Sequence, residues 1–465
     1  MARLPADGAG ALPRGRRREP RRRGRELEVT RRRIGVAVVL GGLLAGGILV
    51  STAVDVAPAV AADEVCKPGN VVFSSERPAA FSLLQTEAAW QRSTGEGVIV
   101  AVVDSGIDVG NPHLEDAVVG GIDLVGDGER ADGLSDPQGH GTAIAGQIAA
   151  RKIPKSGVVG LAPDSKLLSV RVFRGTDDES KRDGFGPTTA RLAAGIRWAA
   201  ENDADVINVS LSEVDGSAEL EAAVAAAHDA GSLVVASGGN RATAEDARDG
   251  ARYPAAYPGA LGVTASDASG TVTDDSIHGP QVDVSAPAQS VTTSATGAGD
   301  CVYATEAPSS SFATGYVSGA AALVAAAHPA DGPDGWAYRL MATAARTDPD
   351  QRDDVSGWGL IRPADAITLL PSATTRGPAS PFVDTAGSAV RPPSISVTPS
   401  DGSSAFAATS AATAFITIVG ATLLGIIATA VVLRRRHRAD AETDAVASDG
   451  PPRLGFLDRP ADEEF

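Results

Sequence analysis

Between residues 98 and 265, short runs of Val, Ile and Leu alternate with stretches of helical periodicity. Few folds accommodate that rhythm. Residues 98–103, 166–172, 205–211, 232–236 and 260–265 are apolar almost throughout, as strands buried on both faces are. Residues 142–151, 189–201 and 218–230 carry helical patterns between them, and Gly231 stands where a C-cap glycine belongs. The alternation predicts an α/β fold, a mostly parallel sheet with right-handed crossovers and helices on both faces. Ligands of such sheets sit beyond the carboxyl ends of the strands, so residues just past each run are the first candidates for chemistry.

Composition narrows the function classes. The chain has 465 residues, 43% of them apolar, which excludes a wholly disordered protein. Twelve Arg against four acids give residues 1–33 a net charge of +8, which leaves −25 on the remainder of a chain whose total is −17. So acidic a body lacks the basic footprint that nucleic acid requires. Cys66 and Cys301 are the only cysteines, too few for a zinc ribbon or a disulfide-dense miniature fold.

Apolar segments at both ends set the expected topology. Arg31-Arg32-Arg33 precedes the run 34–50, and Ala59-Val60-Ala61 follows as a small-residue cleavage site, so residues 1–62 read as a basic N-region and export signal. A retained anchor is the alternative, because the run is near the lower length limit for a span. Residues 63–87 form an N-terminal extension and 88–370 the body. Residues 371–410 are a Pro/Ser/Thr-rich stalk, 411–433 a transmembrane helix and 434–465 a tail. Arg434-Arg435-Arg436-His437-Arg438 holds that tail in the cytoplasm and places the body outside. There the two cysteines most simply form one disulfide.

Three motifs fall at strand ends or helix starts. Asp104-Ser105-Gly106 follows the first run; by itself it is equally a turn. His140 stands between two glycines at the start of a small-residue helix, where the missing side chains allow another segment close to the ring. Ser309-Ser310-Ser311-Phe312-Ala313 opens a long helix of small and apolar residues, and alone would be a serine N-cap. Together they supply the nucleophile, base and orienting carboxylate of hydroxyl-based acyl transfer. No G-x-S-x-G is present, which excludes the α/β-hydrolase elbow.

The order Asp, His, Ser, with Asp104-Ser105-Gly106, His140-Gly141-Thr142-Ala143-Ile144-Ala145-Gly146 and Ser311-Phe312-Ala313 running on to Val317-Ser318-Gly319, resembles the subtilisin-like serine proteases, or subtilases. The resemblance implies that Asp104 orients the imidazole, His140 acts as base and then acid, and Ser311 attacks the scissile carbonyl. It makes Asn240, in Ala236-Ser237-Gly238-Gly239-Asn240, the side-chain donor of an oxyanion hole, with the Ser311 backbone N–H as its second donor. Ser210, Leu211 and Ser212 match the edge that pairs with substrate backbone. Gly160-Leu161-Ala162-Pro163, Gly357-Trp358-Gly359 and Tyr253-Pro254-Ala255 also match, the last with a Tyr-Pro bond that is typically cis in the family.

Departures from the family pattern are Ser309-Ser310 for Gly-Thr before the nucleophile, Gly315 for Pro, and Ser212-Glu213 for Gly-Gly. The first bears on the oxyanion hole, and the last narrows or recharges the substrate cleft.

Signal, short extension, body, stalk and C-terminal helix together resemble mycosins, the actinobacterial subtilases associated with type VII secretion. Residues 63–87 are too few for a folded inhibitory prodomain. The resemblance implies a single-pass, membrane-anchored endopeptidase that processes exported polypeptides, within reach of a secretion complex and without cofactor or metal. Acidic stretches 177–183 and 348–354 lack the spacing of a calcium loop. The alternative is a weakly catalytic or non-catalytic scaffold of subtilase fold inside that complex.

Overall fold

The structure, a computed structural model, describes residues 72–297 and 299–383. The export signal, Cys66, the membrane span and the tail expected from the sequence lie outside the described residues, as does most of the stalk.

Two short helices, α1 (Ala80–Leu83) and α2 (Thr86–Trp90), precede the first strand, β1 (Ile99–Asp104). Then follow β2 (Val118–Asp123), α3 (His140–Ala149), β3 (Lys166–Arg171), α4 (Asp178–Arg182), α5 (Thr189–Glu201), β4 (Val206–Val209), α6 (Ala218–Asp229), β5 (Leu233–Ser237), β6 (Ala260–Ser266) and β7 (Val284–Pro287). A two-stranded antiparallel unit, β8 (Val291–Ser294) with β9 (Asp300–Tyr303), leads to α7 (Ser310–Ala327), α8 (Gly332–Thr343) and α9 (Pro363–Thr368). β1–β7 make one sheet in the order β2-β3-β1-β4-β5-β6-β7, every pairing parallel.

The five apolar runs are the strands β1, β3, β4, β5 and β6, as the α/β reading expects. Because side chains alternate across a strand, β1 feeds two cores. Val100 and Val102 pack with Ile144, Ile148 and Val317 on the face of α3 and α7. Ala101 and Val103 pack with Leu192, Ile196 and Val224 on the face of α5 and α6. Burying such a side chain contributes about 1.5–3 kcal/mol, which is why strands inside both cores are mostly apolar. α6 ends as expected: the Gly231 N–H donates to His228 O at 2.9 Å and the Ser232 N–H to Ala227 O at 2.9 Å, with Gly231 at φ 96°.

Some elements were not expected. β2 contains Gly120 and Gly121, which weaken any strand signal. A Cβ on Gly121 would lie 2.3 Å from Ser169 O and 2.6 Å from Asp132 O, so packing demands glycine where propensity disfavours it. Part of the N-terminal extension is also stitched to the body. The Asp300 N–H donates to Val72 O at 2.8 Å, and Asp300 Oδ2 accepts from the Ser74 N–H at 2.9 Å and from Ser156 Oγ at 2.6 Å. Buried His113 pairs with Asp300 at 3.0 Å. The Tyr253-Pro254 bond is cis, as the resemblance implies.

Candidate active site

β1 is the centre of the sheet's winding: the chain goes to β2 and β3 on one side, then to β4 through β7 on the other. The crevice beyond its carboxyl end is the topological switch point where α/β sheets place their ligands. Asp104 is the last residue of β1 and is fully buried. Its Oδ1 accepts from His140 Nδ1 at 2.7 Å and from the Ser105 N–H at 2.8 Å. Asp104 Oδ2 is buried without a hydrogen-bond partner among the described residues.

His140 opens α3, and its neighbour Gly141 allows the approach. A Cβ there would stand 2.1 Å from Gly106 O and 3.1 Å from Asp104 Cβ. Asp136 supplies the helix cap from three residues before Gly139. Its carboxylate accepts from the Gly139 N–H at 2.8 Å, the Thr142 N–H at 2.8 Å and Thr142 Oγ1 at 2.7 Å. Burial works to lower the His140 pKa, yet the charge and hydrogen bond of Asp104 and the charge of Asp136 outweigh it, and the net direction is up. Burial raises Asp136 despite the hydrogen bonds it accepts.

Ser311 is the second residue of α7. Of the three consecutive serines, Ser310 is buried and spends its hydroxyl on Ser237 Oγ at 2.7 Å, whereas Ser311 is partly exposed. The cap of α7 is not a serine side chain: Ser309 makes no capping bond, and Asn240 Oδ1 accepts from the Ser310 N–H at 2.7 Å. That bond aims Asn240 Nδ2 along the start of the helix, where its contact is a long 3.5 Å approach to Ser309 Oγ. The Ser311 N–H lies in the first turn, among donors that an α-helix leaves without an internal partner.

Ser210, at the carboxyl end of β4, is tied to the same helix. Its Oγ donates to Ser311 O at 3.0 Å, its carbonyl accepts from Ser311 Oγ at 3.1 Å, and Asn208 Nδ2 donates to its Oγ at 3.0 Å. The Ser311 hydroxyl is therefore bonded to Ser210 rather than to His140, although the Phe312 ring stands 5.6 Å from the imidazole. Leu211 and Ser212 continue past the sheet, partly exposed. The structure thus brings together Asp104, His140, Ser311, Asn240 and Ser210, with Leu211 and Ser212 on the continuing strand.

Sequence reasoning missed Asp136 and Arg171. An Asp three residues before a glycine-led helix was the available signal for the first. Arg171 is fully buried; it pairs with Asp123 at 2.9 Å and Asp127 at 2.7 Å and donates through Nε to Ser105 O at 3.2 Å. No local pattern marks it, since its partners lie 44–66 residues away.

The acidic stretches set aside as calcium loops are engaged otherwise. Asp177 caps α4 through the Ser180 N–H, Asp354 pairs with Arg352, and Asp350 with Arg376. Among the described residues no group of three or more His, Cys, Asp or Glu could hold a metal. The described helix apolar and long enough to span a bilayer is α7, and it is mostly buried in the body.

The model of the subtilase family matches residues 95–359, more than half of the chain. Thermostable alkaline protease of Halalkalibacterium halodurans is 36% identical over 264 residues, which are 57% of this chain and 66% of the relative. Thermitase of Thermoactinomyces vulgaris is 36% identical over 56% of this chain and 85% of its own length. The crystal structure of MycP1 from the ESX-1 type VII secretion system superposes with a TM-score of 0.57 at 29% identity, over 67% of this chain and 92% of that one. The chain belongs to the subtilase family and is a subtilisin-type serine protease.

Proposed function

We propose that the protein is a membrane-anchored, outward-facing endopeptidase that processes exported polypeptides, with Asp104, His140 and Ser311 as its triad. The observation that carries this reading is the 2.7 Å bond between His140 Nδ1 and Asp104 Oδ1, beside a partly exposed serine at a helix start. Asp104 accepts a hydrogen bond from Nδ1–H and so leaves Nε2 as the basic nitrogen. For catalysis the Ser311 hydroxyl must leave the Ser210 carbonyl for Nε2; such bonds often tighten only when substrate is bound. His140 takes the proton as Ser311 Oγ attacks the peptide carbonyl. The oxyanion accepts from Asn240 Nδ2 and the Ser311 N–H, where the helix dipole also favours negative charge. His140 then protonates the leaving amine, and water resolves the acyl-enzyme by the same steps in reverse.

The base must be neutral, so activity rises with pH through the His140 pKa. Because Asp104 and Asp136 raise that pKa, the acid limb of kcat/KM should have its midpoint above the ordinary imidazole value of about 6.5. Asp136→Asn removes one of the two charges and should move the limb to lower pH. An unmoved or raised midpoint would contradict the coupling.

Anchoring and orientation are supported by the apolar stretch 411–433 and the basic cluster after it. A cysteine placed at Ser388 should react with an impermeant maleimide on intact cells, and one at Ser448 only after lysis. Outside labelling at position 448 would overturn the orientation. The likeness to a structure from a type VII secretion system supports that machinery as the partner.

The extension should be fixed covalently through Cys66–Cys301. Cys301 is buried, and its neighbour Asp300 donates its N–H to Val72 O, six residues after Cys66. Non-reducing peptide mapping should recover the crossed pair; alkylation of both cysteines without reduction would refute it.

One observation favours the scaffold reading, namely the Ser311 hydroxyl held by Ser210 instead of the imidazole. Peptide hydrolysis no faster than that of the Ser311→Ala protein would decide for it.

A further inference from the structure

His140 and Ser311 stand on different helices, so whatever sets the spacing of α3 and α7 sets the reach of the hydroxyl to the imidazole. The two helices meet at both ends of one residue, Phe312, which follows the serine. At the start of α3 the His140 ring stands 5.6 Å from the Phe312 ring, which stacks in turn on Tyr303 at 5.4 Å. Two turns along, about 10 Å of helix, Gln147 Nε2 donates to Phe312 O at 2.9 Å. Phe312 thus bridges the helices from ring to carbonyl. Gln147 is buried, and it is the one long polar side chain among buried neighbours that are otherwise Gly, Ala, Ile and Thr. A buried amide is costly unless it is bonded, so its place here calls for a task that Ala or Ile could not do.

The opposite wall is shaped to that amide. Gly315 stands on α7 where the subtilase pattern has proline. A Cβ on Gly315 would lie 2.8 Å from Gln147 Oε1, 3.3 Å from its Cδ and 3.5 Å from its Cβ, so all three of the nearest atoms belong to Gln147. Glycine is disfavoured inside a helix, and here packing requires it. The glutamine fills the space that a side chain at 315 would take, and it has no room to move towards α7.

We propose that Gln147 is a positioning residue of this enzyme: its amide, seated over Gly315, fixes the spacing of α3 and α7 and with it the distance from Ser311 Oγ to His140 Nε2. The proposal rests on the catalytic reading of Ser311. Gln147 acts through Phe312 and touches no substrate, so its loss should appear in kcat and not in KM. Misplacing a catalytic group by about 1 Å costs about 10²-fold in rate, which sets the upper end of the effect.

The test uses the solubilised full chain. Gln147→Met nearly keeps the volume and removes the donor. Its kcat for peptide hydrolysis should fall by about 10–100-fold with KM within about twofold, and fluorophosphonate labelling of Ser311 should slow in step. Ser232→Ala is the stability control. It removes a buried bond to Ala204 O of 2.6 Å at the amino end of β5, away from the site, and should lower Tm with kcat unchanged. Gly315→Ala should lower kcat as Gln147→Met does, because the new Cβ displaces the amide, yet should cost nothing further in Gln147→Ala, where the space is empty. Full kcat in folded Gln147→Met, a loss carried by KM, or losses that multiply in the double variant would each overturn the proposal and leave the catalytic reading standing. Failure of the wild type to label at Ser311 would overturn the catalytic reading and this proposal with it.

Discussion

Ser311→Ala should lower kcat for peptide hydrolysis by about 10⁶-fold, the scale on which loss of the nucleophile acts in subtilisin, a relative of this chain. Nothing in the site can replace the hydroxyl, because Ser310 points inward to Ser237 and the partly exposed Ser309 contacts Asn240. Ser310→Ala makes the contrast. It removes one buried hydrogen bond, a loss of about 1 kcal/mol in stability, and should leave hydrolysis measurable. Steady-state assays on the two variants would show the reverse pattern if the nucleophile were the neighbouring serine.

The second large effect belongs to Asn240. Removing such a donor costs about 10²–10³ in kcat in a related enzyme, with little change in KM, because it acts where charge develops. In the proposed mechanism the side chain has two functions: Oδ1 caps α7 through the Ser310 N–H, and Nδ2 is left for the oxyanion. Asn240→Ala should therefore also lose about 1 kcal/mol of stability with the cap. Asn240→Asp separates the two. It keeps an acceptor for Ser310 but replaces the donor, so kcat should fall while Tm stays closer to wild type than in Asn240→Ala. A loss borne by KM alone would contradict the assignment.

The parts of the molecule readable from sequence are those written in local pattern. β1, β3, β4, β5 and β6 are mostly apolar because each lies between two helical layers, so their runs could be counted directly. Asp104, His140 and Ser311 stand where a strand ends or a helix begins, and Gly141 marks the close approach that lets the imidazole reach Asp104. What stayed hidden was set by distant partners. β2 is a strand because it pairs with β3, despite its glycines. Arg171 reads as an exposed charge until Asp123, Asp127 and Ser105 are brought around it. The clamp on the extension joins Ser74 to Asp300, 226 residues away, and the hydroxyl bond from Ser311 to Ser210 spans 101. Ser212 was visible as a departure, but only the fold shows that an added Cβ on Gly239 would lie 3.2 Å from its Oγ.

All of this depends on Ser311 being a nucleophile activated by His140. The most direct measurement is the site of covalent attack by a fluorophosphonate on the solubilised full-length protein, mapped by peptide mass spectrometry in wild type and His140→Ala. The structure predicts one adduct, on Ser311, and loss of labelling in His140→Ala. An adduct on Ser310, or labelling of Ser311 at an equal rate without His140, would contradict it.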